Sequence, residues 1–321
     1  MKNQKITNES HRKKFATEAK CLEALLHFRI KEDELCFNPH CNRPIKTHWF
    51  PLKARRAYIC RNCLGHFYPM TSSLFEHSHV ALPDWFAIIY KMLLSRNGVA
   101  GYELHRDYGY GTPAVYRLMH LIRSLMGECL DWKFEDNAFV EIDESYLSIG
   151  NSGMGRNFHF PRGRGSDKNA NILVITERMG KAKLYVIPSS DEDSILPIIL
   201  KEVDKSCLIV TDQWSAYNKV KQLGYNHITV NHKDPVRKDR YVRGMASTNN
   251  AENIFNLIKR SVRGTYRHIG YKYLANYLNE FSFKYTYRNE SDYGFSKLMD
   301  KLTPLSEHYK EKYEKKSQTA A

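Results

Sequence analysis

Apolar positions recur along this chain in two rhythms, and the changes of rhythm mark its parts. Trp85, Ile88, Ile89, Met92 and Leu93 keep the spacing of one helix face, with Pro83 and Asp84 able to start that helix and Gly98 to end it. A shorter helix is predicted over 100–108 and a glycine turn over 109–111. A third helix follows, with Thr112 as N-cap and Pro113 at its first position. Its apolar stripe is Val115, Leu118, Met119, Ile122, Leu125 and Met126, which leaves Tyr116, Arg117, His120 and Arg123 outside. Short helix, glycine turn and basic helix make the pattern of a helix-turn-helix. At Phe139 the period changes to two, placing Glu141 and Asp143 on one strand face and Ile142 and Glu144 on the other. Strands are predicted over 171–176 and 183–187, joined by a hairpin at Met179, Gly180 and Lys181. A helix beginning near Ser190 or Asp191 leads to 207–211, a continuous apolar run of the buried-strand kind, with Asp212 at its carboxyl end. The helical rhythm returns late. Ile254, Leu257, Ile258 and Ser261 form an inward stripe, and Glu252, Asn256, Lys259 and Arg263 a polar one.

The predicted class is therefore α/β, preceded by smaller units. The divisions are an arm and short helix at 1–33, a cysteine-rich segment at 34–79, a helix-turn-helix-like domain at 80–136, an α/β domain at 137–305 and a charged, frayed tail at 306–321. The chain has 321 residues, 42% of them apolar, enough for a sizeable core. No apolar run approaches the roughly 18 residues of a membrane span. The polar start, MKNQKITNESHRKK, lacks a secretory signal, so a cytoplasmic protein is expected. The formal charge of +14 points to nucleic acid as partner.

Four of the seven cysteines fall close together, as CFNPHC and CRNC separated by 18 residues. Two short-spaced thiol pairs about 20 residues apart fit one structural zinc ion held by Cys36, Cys41, Cys60 and Cys63 in a ribbon. His40 or His66 could replace one thiolate, though four cysteines make that unnecessary. From 42 to 68 there are six cations and no acid, and Arg55, Arg56 and Arg61 are expected to touch DNA phosphates. Arg117 and Arg123 on the third helix, Arg162 and Arg164 in the glycine-rich loop at 150–165, and Arg260 and Arg263 on the late helix join them as candidate DNA contacts. That loop lacks GxGxxG, which excludes a dinucleotide site.

Asp143 on one strand, Asp212 at the end of another and Glu252 on the late helix can converge on a pair of Mg²⁺ or Mn²⁺ ions. Such a pair, roughly 3.5–4 Å apart, activates a water or 3′-hydroxyl and stabilises the leaving oxygen of a phosphodiester. Lys259, seven residues after Glu252, would face the same way and neutralise phosphate charge. A purely structural reading competes at Glu252, because Asn249 as N-cap with Glu252 three residues later resembles a capping box.

At these residues the chain resembles the insertion-sequence DDE transposases with an N-terminal zinc ribbon, the ISXO-type group. The resemblance runs over about residues 30–290, through CRNCLGHFYPMTSSLFEHSHVALPDWF, the stretch 95–122, VEIDESY, TDQWSAY and TNNAENIFNLIKRSVRGTYRHIGYKYLANYLNEFSFKYTYR. It implies a ribonuclease-H-like DDE catalytic core in 137–305, Mg²⁺ or Mn²⁺ as cofactor, and DNA cleavage followed by strand transfer. Asp143 and Asp212 match the first and second acidic ligands, Glu252 the third and Lys259 the basic residue of that helix. Asn249, Asn250 and Asn253 are the alternatives at the third position, and His232 and His268 stand where the group tends to carry polar residues. The expected function is binding of double-stranded DNA, the terminal inverted repeats and then the target, by a homodimer or larger assembly, with no membrane and a nucleoid location in a prokaryotic cytoplasm. The alternative is a DNA-binding regulator derived from a transposase, with a catalytically dead domain. A tyrosine recombinase, which 21 tyrosines invite, would need an Arg and His cluster around one Tyr and no metal.

Overall fold

A computed structural model describes residues 7–52, 55–149, 169–178, 180–230, 242–243, 246–289 and 294–319. In chain order the elements are α1 (Asn8–Lys14), α2 (Glu18–Arg29), α3 (Ile45–His48), β1 (Trp49–Pro51), β2 (Tyr58–Cys60), β3 (His66–Phe67), α4 (Leu82–Leu94), α5 (Gly101–Tyr108) and α6 (Thr112–Glu128). There follow β4 (Phe139–Ser148), β5 (Asn169–Glu177), β6 (Ala182–Ile187), α7 (Glu192–Glu202), β7 (Leu208–Asp212), α8 (Asn218–Gln222), β8 (Asn226–Val230), β9 (Val242–Arg243) and β10 (Ala246–Ser247). The last helices are α9 (Asn249–Ser261), α10 (Tyr271–Thr286), α11 (Phe295–Asp300) and α12 (Leu305–Thr319). Two units result, one of residues 1–94, 104–111 and 291–321, the other of 95–103 and 112–290.

In the first unit the two ends of the chain share a core. Phe295 of α11 meets His11, Phe15, Phe28 and Phe86, so the polar arm is tied down rather than free. Thr7 caps α1 through a capping box with Ser10, and His11 stacks on Tyr90 at 3.9 Å. Burial, with Lys14 nearby, pushes the His11 pKa down to about 4. The predicted frayed tail is instead α12. Its Leu305 and Tyr309 are buried, and Tyr309 stacks on Phe37 while its hydroxyl accepts from the Tyr68 amide at 2.7 Å. One apolar pair at i, i+4 is enough to dock an otherwise charged helix.

The second unit is a mixed α/β body on a five-stranded sheet in the order β6-β5-β4-β7-β8. β4, β5 and β6 run antiparallel, while β7 and β8 run parallel to β4. This is the ribonuclease-H-like sheet expected from the sequence. Both faces of β4 are covered. Val140 and Ile142 pack with Ile195, Ile199 and Tyr217, whereas Leu147 packs with Ile254, Phe255, Ile258 and Leu278 of α9 and α10. The odd-numbered side chains of β4 thus face α9.

The helix-turn-helix-like domain expected at 80–136 is divided between the units. α4 packs with α1 and α2, and α6 packs with α10. Arg123, expected outside on α6, has no exposed surface and its Nε donates to Glu280 at 2.8 Å. Its guanidinium lies 3.8 Å from the centroid of Tyr277, and Lys284 reaches the same carboxylate at 3.3 Å. Buried charge demands such pairing. His120 is also turned inward, stacked on Tyr273 at 4.1 Å. Gly98 is required: at φ +86°, a Cβ there would stand 1.8 Å from the Tyr266 hydroxyl.

Candidate active site and metal centre

The hairpin β1–β2 and the knuckles at its ends bring the four cysteines together. All four Sγ atoms lie within 4.8 Å of one another, with Cys36 and Cys63 at 3.7 Å and Cys41 and Cys60 at 3.6 Å. A tetrahedral zinc site with bonds of about 2.3 Å has sulfur–sulfur edges near ~3.8 Å, so the geometry fits one ion with no position left open. Asn62 donates to Cys41 Sγ at 3.3 Å, an outer contact of the kind that orients a metal ligand. Among the described residues this is the one group of three or more metal-ligating side chains gathered that closely.

The acidic site is built by strand register. β4 and β7 pair in parallel up to Glu141↔Val210. Asp143 and Asp212, each two residues beyond that last pair, line the same cleft. Asp212 Oδ1 accepts the Trp214 amide at 3.0 Å, which fixes its rotamer. Asp143 Oδ1 accepts the Glu144 amide at 2.9 Å. Burial, then Glu144, Asp212 and Glu252, push the Asp143 pKa up to about 8, with the Glu144 amide partly opposing. Glu252 is therefore close enough for its charge to be felt at Asp143, and Lys259 on the same helix donates to Ser145 Oγ at 2.8 Å.

A cleft of about 360 Å³ opens over these acids, lined by Asp143, Glu144 and Asp212 together with Tyr146, Asn171, Ser189, Ser190, Asp191 and Trp214. Carboxylates with mutual repulsion and hard oxygen donors fit a divalent cation. Mg²⁺ needs only one or two direct carboxylates and keeps waters and phosphate oxygens for the rest, which suits acids that are near but not packed together. The sequence-based reading overlooked Glu144, whose Oε2 accepts the hydroxyl of the buried Tyr217 at 2.5 Å. It also gave no role to Glu141 or Ser145, although period-two alternation already put Glu141 on the Asp143 face.

Residues 136–286 match the family described as the ISXO2-like transposase domain. The chain is similar, at 25% identity over 284 residues, to an uncharacterized protein in transposable element ISH50 of Halobacterium salinarum, covering 85% of this chain and 92% of that one. A chain in the crystal structure of a pre-cleavage Mos1 transpososome is similar over 69% of this chain and 76% of its own, at 10% identity and a TM-score of 0.25.

Arg55, Arg61, Arg117, Arg260 and Arg263 are exposed. Arg61 lies over the Phe50 ring at 3.4 Å. Arg56 is a correction: it pairs with Glu18 at 2.5 Å and donates to the carbonyls of Ser78 and Val80, so it straps the fold. Arg123 is a second correction, consumed by Glu280. Arg162, Arg164, the rest of the glycine-rich loop, Met179 and His232 lie outside the described residues. His268 is exposed. No described helix is long and apolar enough to cross a membrane.

Proposed function

We propose that this chain is a transposase that binds the terminal inverted repeats of its element and cuts and rejoins DNA at the Asp143, Asp212 and Glu252 site. The observation that carries the reading is that Asp143 and Asp212 line one cleft, with Glu252 near enough for its charge to be felt at Asp143, all three within the matched residues 136–286. A raised Asp143 pKa marks where their charge concentrates. Divalent ions held there would lower the pKa of the attacking water and stabilise the departing 3′ oxygen. Asp143, Asp212 and Glu252 would hold those ions. Asn250 is the weaker third ligand because its side chain donates to Glu141, and Asn249 and Asn253 are exposed. Lys259 would hold a phosphate beside the acids.

The zinc ribbon, with Arg55 and Arg61, and the α6 surface, with Arg117, would bind the element's ends in an assembly of two or more chains, in a prokaryotic cytoplasm. The relative in ISH50 comes from a transposable element, which agrees with this role. The test is incubation of the purified chain with a duplex containing the inverted repeats flanking its gene, with and without Mg²⁺. Nicking at the element's 3′ end only with Mg²⁺, and its loss in Asp212→Ala, is the expected result. End binding without any nicking would instead identify a regulator. End affinity should also fall steeply as salt rises.

A further inference from the structure

Glu141 has no exposed surface, yet it is a carboxylate two positions before Asp143. Such burial is strongly unfavourable unless the oxygens are matched by donors. Here Oε2 accepts the amides of Asn250 at 2.8 Å and Ala251 at 3.4 Å. Oε1 accepts Asn250 Nδ2 at 2.8 Å and lies 3.5 Å from Arg178 Nε. Those amides belong to the first turn of α9, where N–H groups have no partner within the helix and the dipole favours an anion. The N-cap is Thr248 rather than Asn249, and its side chain makes no cap bond. The strand bearing Asp143 caps the helix bearing Glu252.

A second tie lies further along the same two elements, between Lys259 Nζ and Ser145 Oγ at 2.8 Å. Glu141, Asp143 and Ser145 share one face of β4. At about 3.3 Å per residue, positions 141 to 145 span ~13 Å of strand. At 1.5 Å per residue, positions 250 to 259 span about 13.5 Å of helix. Strand and helix are thus fastened at two points separated by the same length on each, which leaves little freedom to slide. Asp143 stands midway between the ties on the strand, and Glu252 two residues beyond the first tie on the helix.

We propose that Glu141 and Ser145 are positioning residues: they clamp α9 to β4 at two points and so hold Glu252 in a fixed place relative to Asp143. Glu141 does not line the cleft and acts through the helix. The inference rests on the metal-dependent reading above, and its test separates the two.

Mn²⁺ binding to the zinc-loaded full chain is measured by the paramagnetic resonance of free Mn²⁺, with thermal unfolding recorded in parallel. The proteins are the unmodified chain, Asp143→Asn, Glu141→Gln, Ser145→Ala and the double variant Glu141→Gln, Asn250→Asp. Outer contacts of metal ligands are typically worth about 10–100-fold in affinity, so Glu141→Gln should weaken Mn²⁺ binding by roughly that factor and Ser145→Ala by about tenfold. The double variant should recover most of the loss. Its new amide can donate to the carboxylate now at 250, while its carbonyl accepts the α9 amides. Unchanged Mn²⁺ affinity in Glu141→Gln and Ser145→Ala, whatever happens to their unfolding temperatures, overturns the clamp. Failure of the double variant to regain affinity overturns it as well. Equal Mn²⁺ binding by the unmodified chain and Asp143→Asn removes the metal-site reading itself, and the clamp with it.

Discussion

Asp143→Asn is expected to abolish end cleavage, by roughly a thousandfold or more, while making the magnesium-free protein more stable. Both effects come from one cause. Burial and the charges of Glu144, Asp212 and Glu252 push the Asp143 pKa up to about 8, against about 3.9 for a free aspartate. Between those values the folded chain holds more proton than the unfolded chain, so stability falls as pH rises. It is fully present below about pH 4 and lost by about pH 8. An amide carries no such penalty and should flatten this slope, raising the unfolding temperature at pH 8 by a few degrees. Added Mg²⁺ should reverse the ranking, because it stabilises only a protein that binds it. Unfolding curves at pH 5, 7 and 9, with and without Mg²⁺, check the account. A variant that is less stable than the parent at pH 8, or one that still cleaves, contradicts it.

Cys60→Ser is expected to have the larger effect on the first unit. Cys60 is fully buried and sits opposite Trp49 in the β1–β2 register. Trp49 stacks on Phe67 at 4.0 Å, and Phe67 meets Tyr309 of α12. So small a hydrophobic cluster cannot hold the ribbon without metal. Structural zinc contributes an apparent ~10–16 kcal/mol in isolated fingers. Metal analysis should find one zinc per chain before the substitution and close to none after it. Tryptophan fluorescence should report early unfolding of the ribbon, and affinity for end DNA should drop by at least about tenfold. Well under one zinc in the unmodified chain, or undiminished DNA affinity in the variant, would remove the ribbon from the account.

The positions of the candidate acids were legible because two simple periods place them. Alternation along 139–146 puts Asp143 on a defined face, the apolar run before Asp212 marks a buried strand, and helical spacing puts Lys259 below Glu252. What connects them was not legible. Glu141 meets Asn250 across 109 residues of chain, and alternation gives a face without naming what covers it. The same limit made Asn249 a candidate cap when β4 supplies the cap instead. Arg123 was misread although its position carried a signal. It lies four residues after Met119 and three before Met126, so helical spacing puts it on the buried stripe, and only its charge argued for the surface. Arg56 could not be assigned from sequence, since its partner Glu18 belongs to a helix well before the ribbon.

The most direct measurement is a crystal of the zinc-loaded chain bound to a cleaved element-end duplex and soaked in Mn²⁺, with anomalous scattering used to locate the manganese. Two peaks about 3.5–4 Å apart, in contact with Asp143, Asp212 and Glu252 and with the terminal phosphate, are the predicted result. Manganese absent from that cleft, or bound there without Asp143 and Asp212 as ligands, would contradict it.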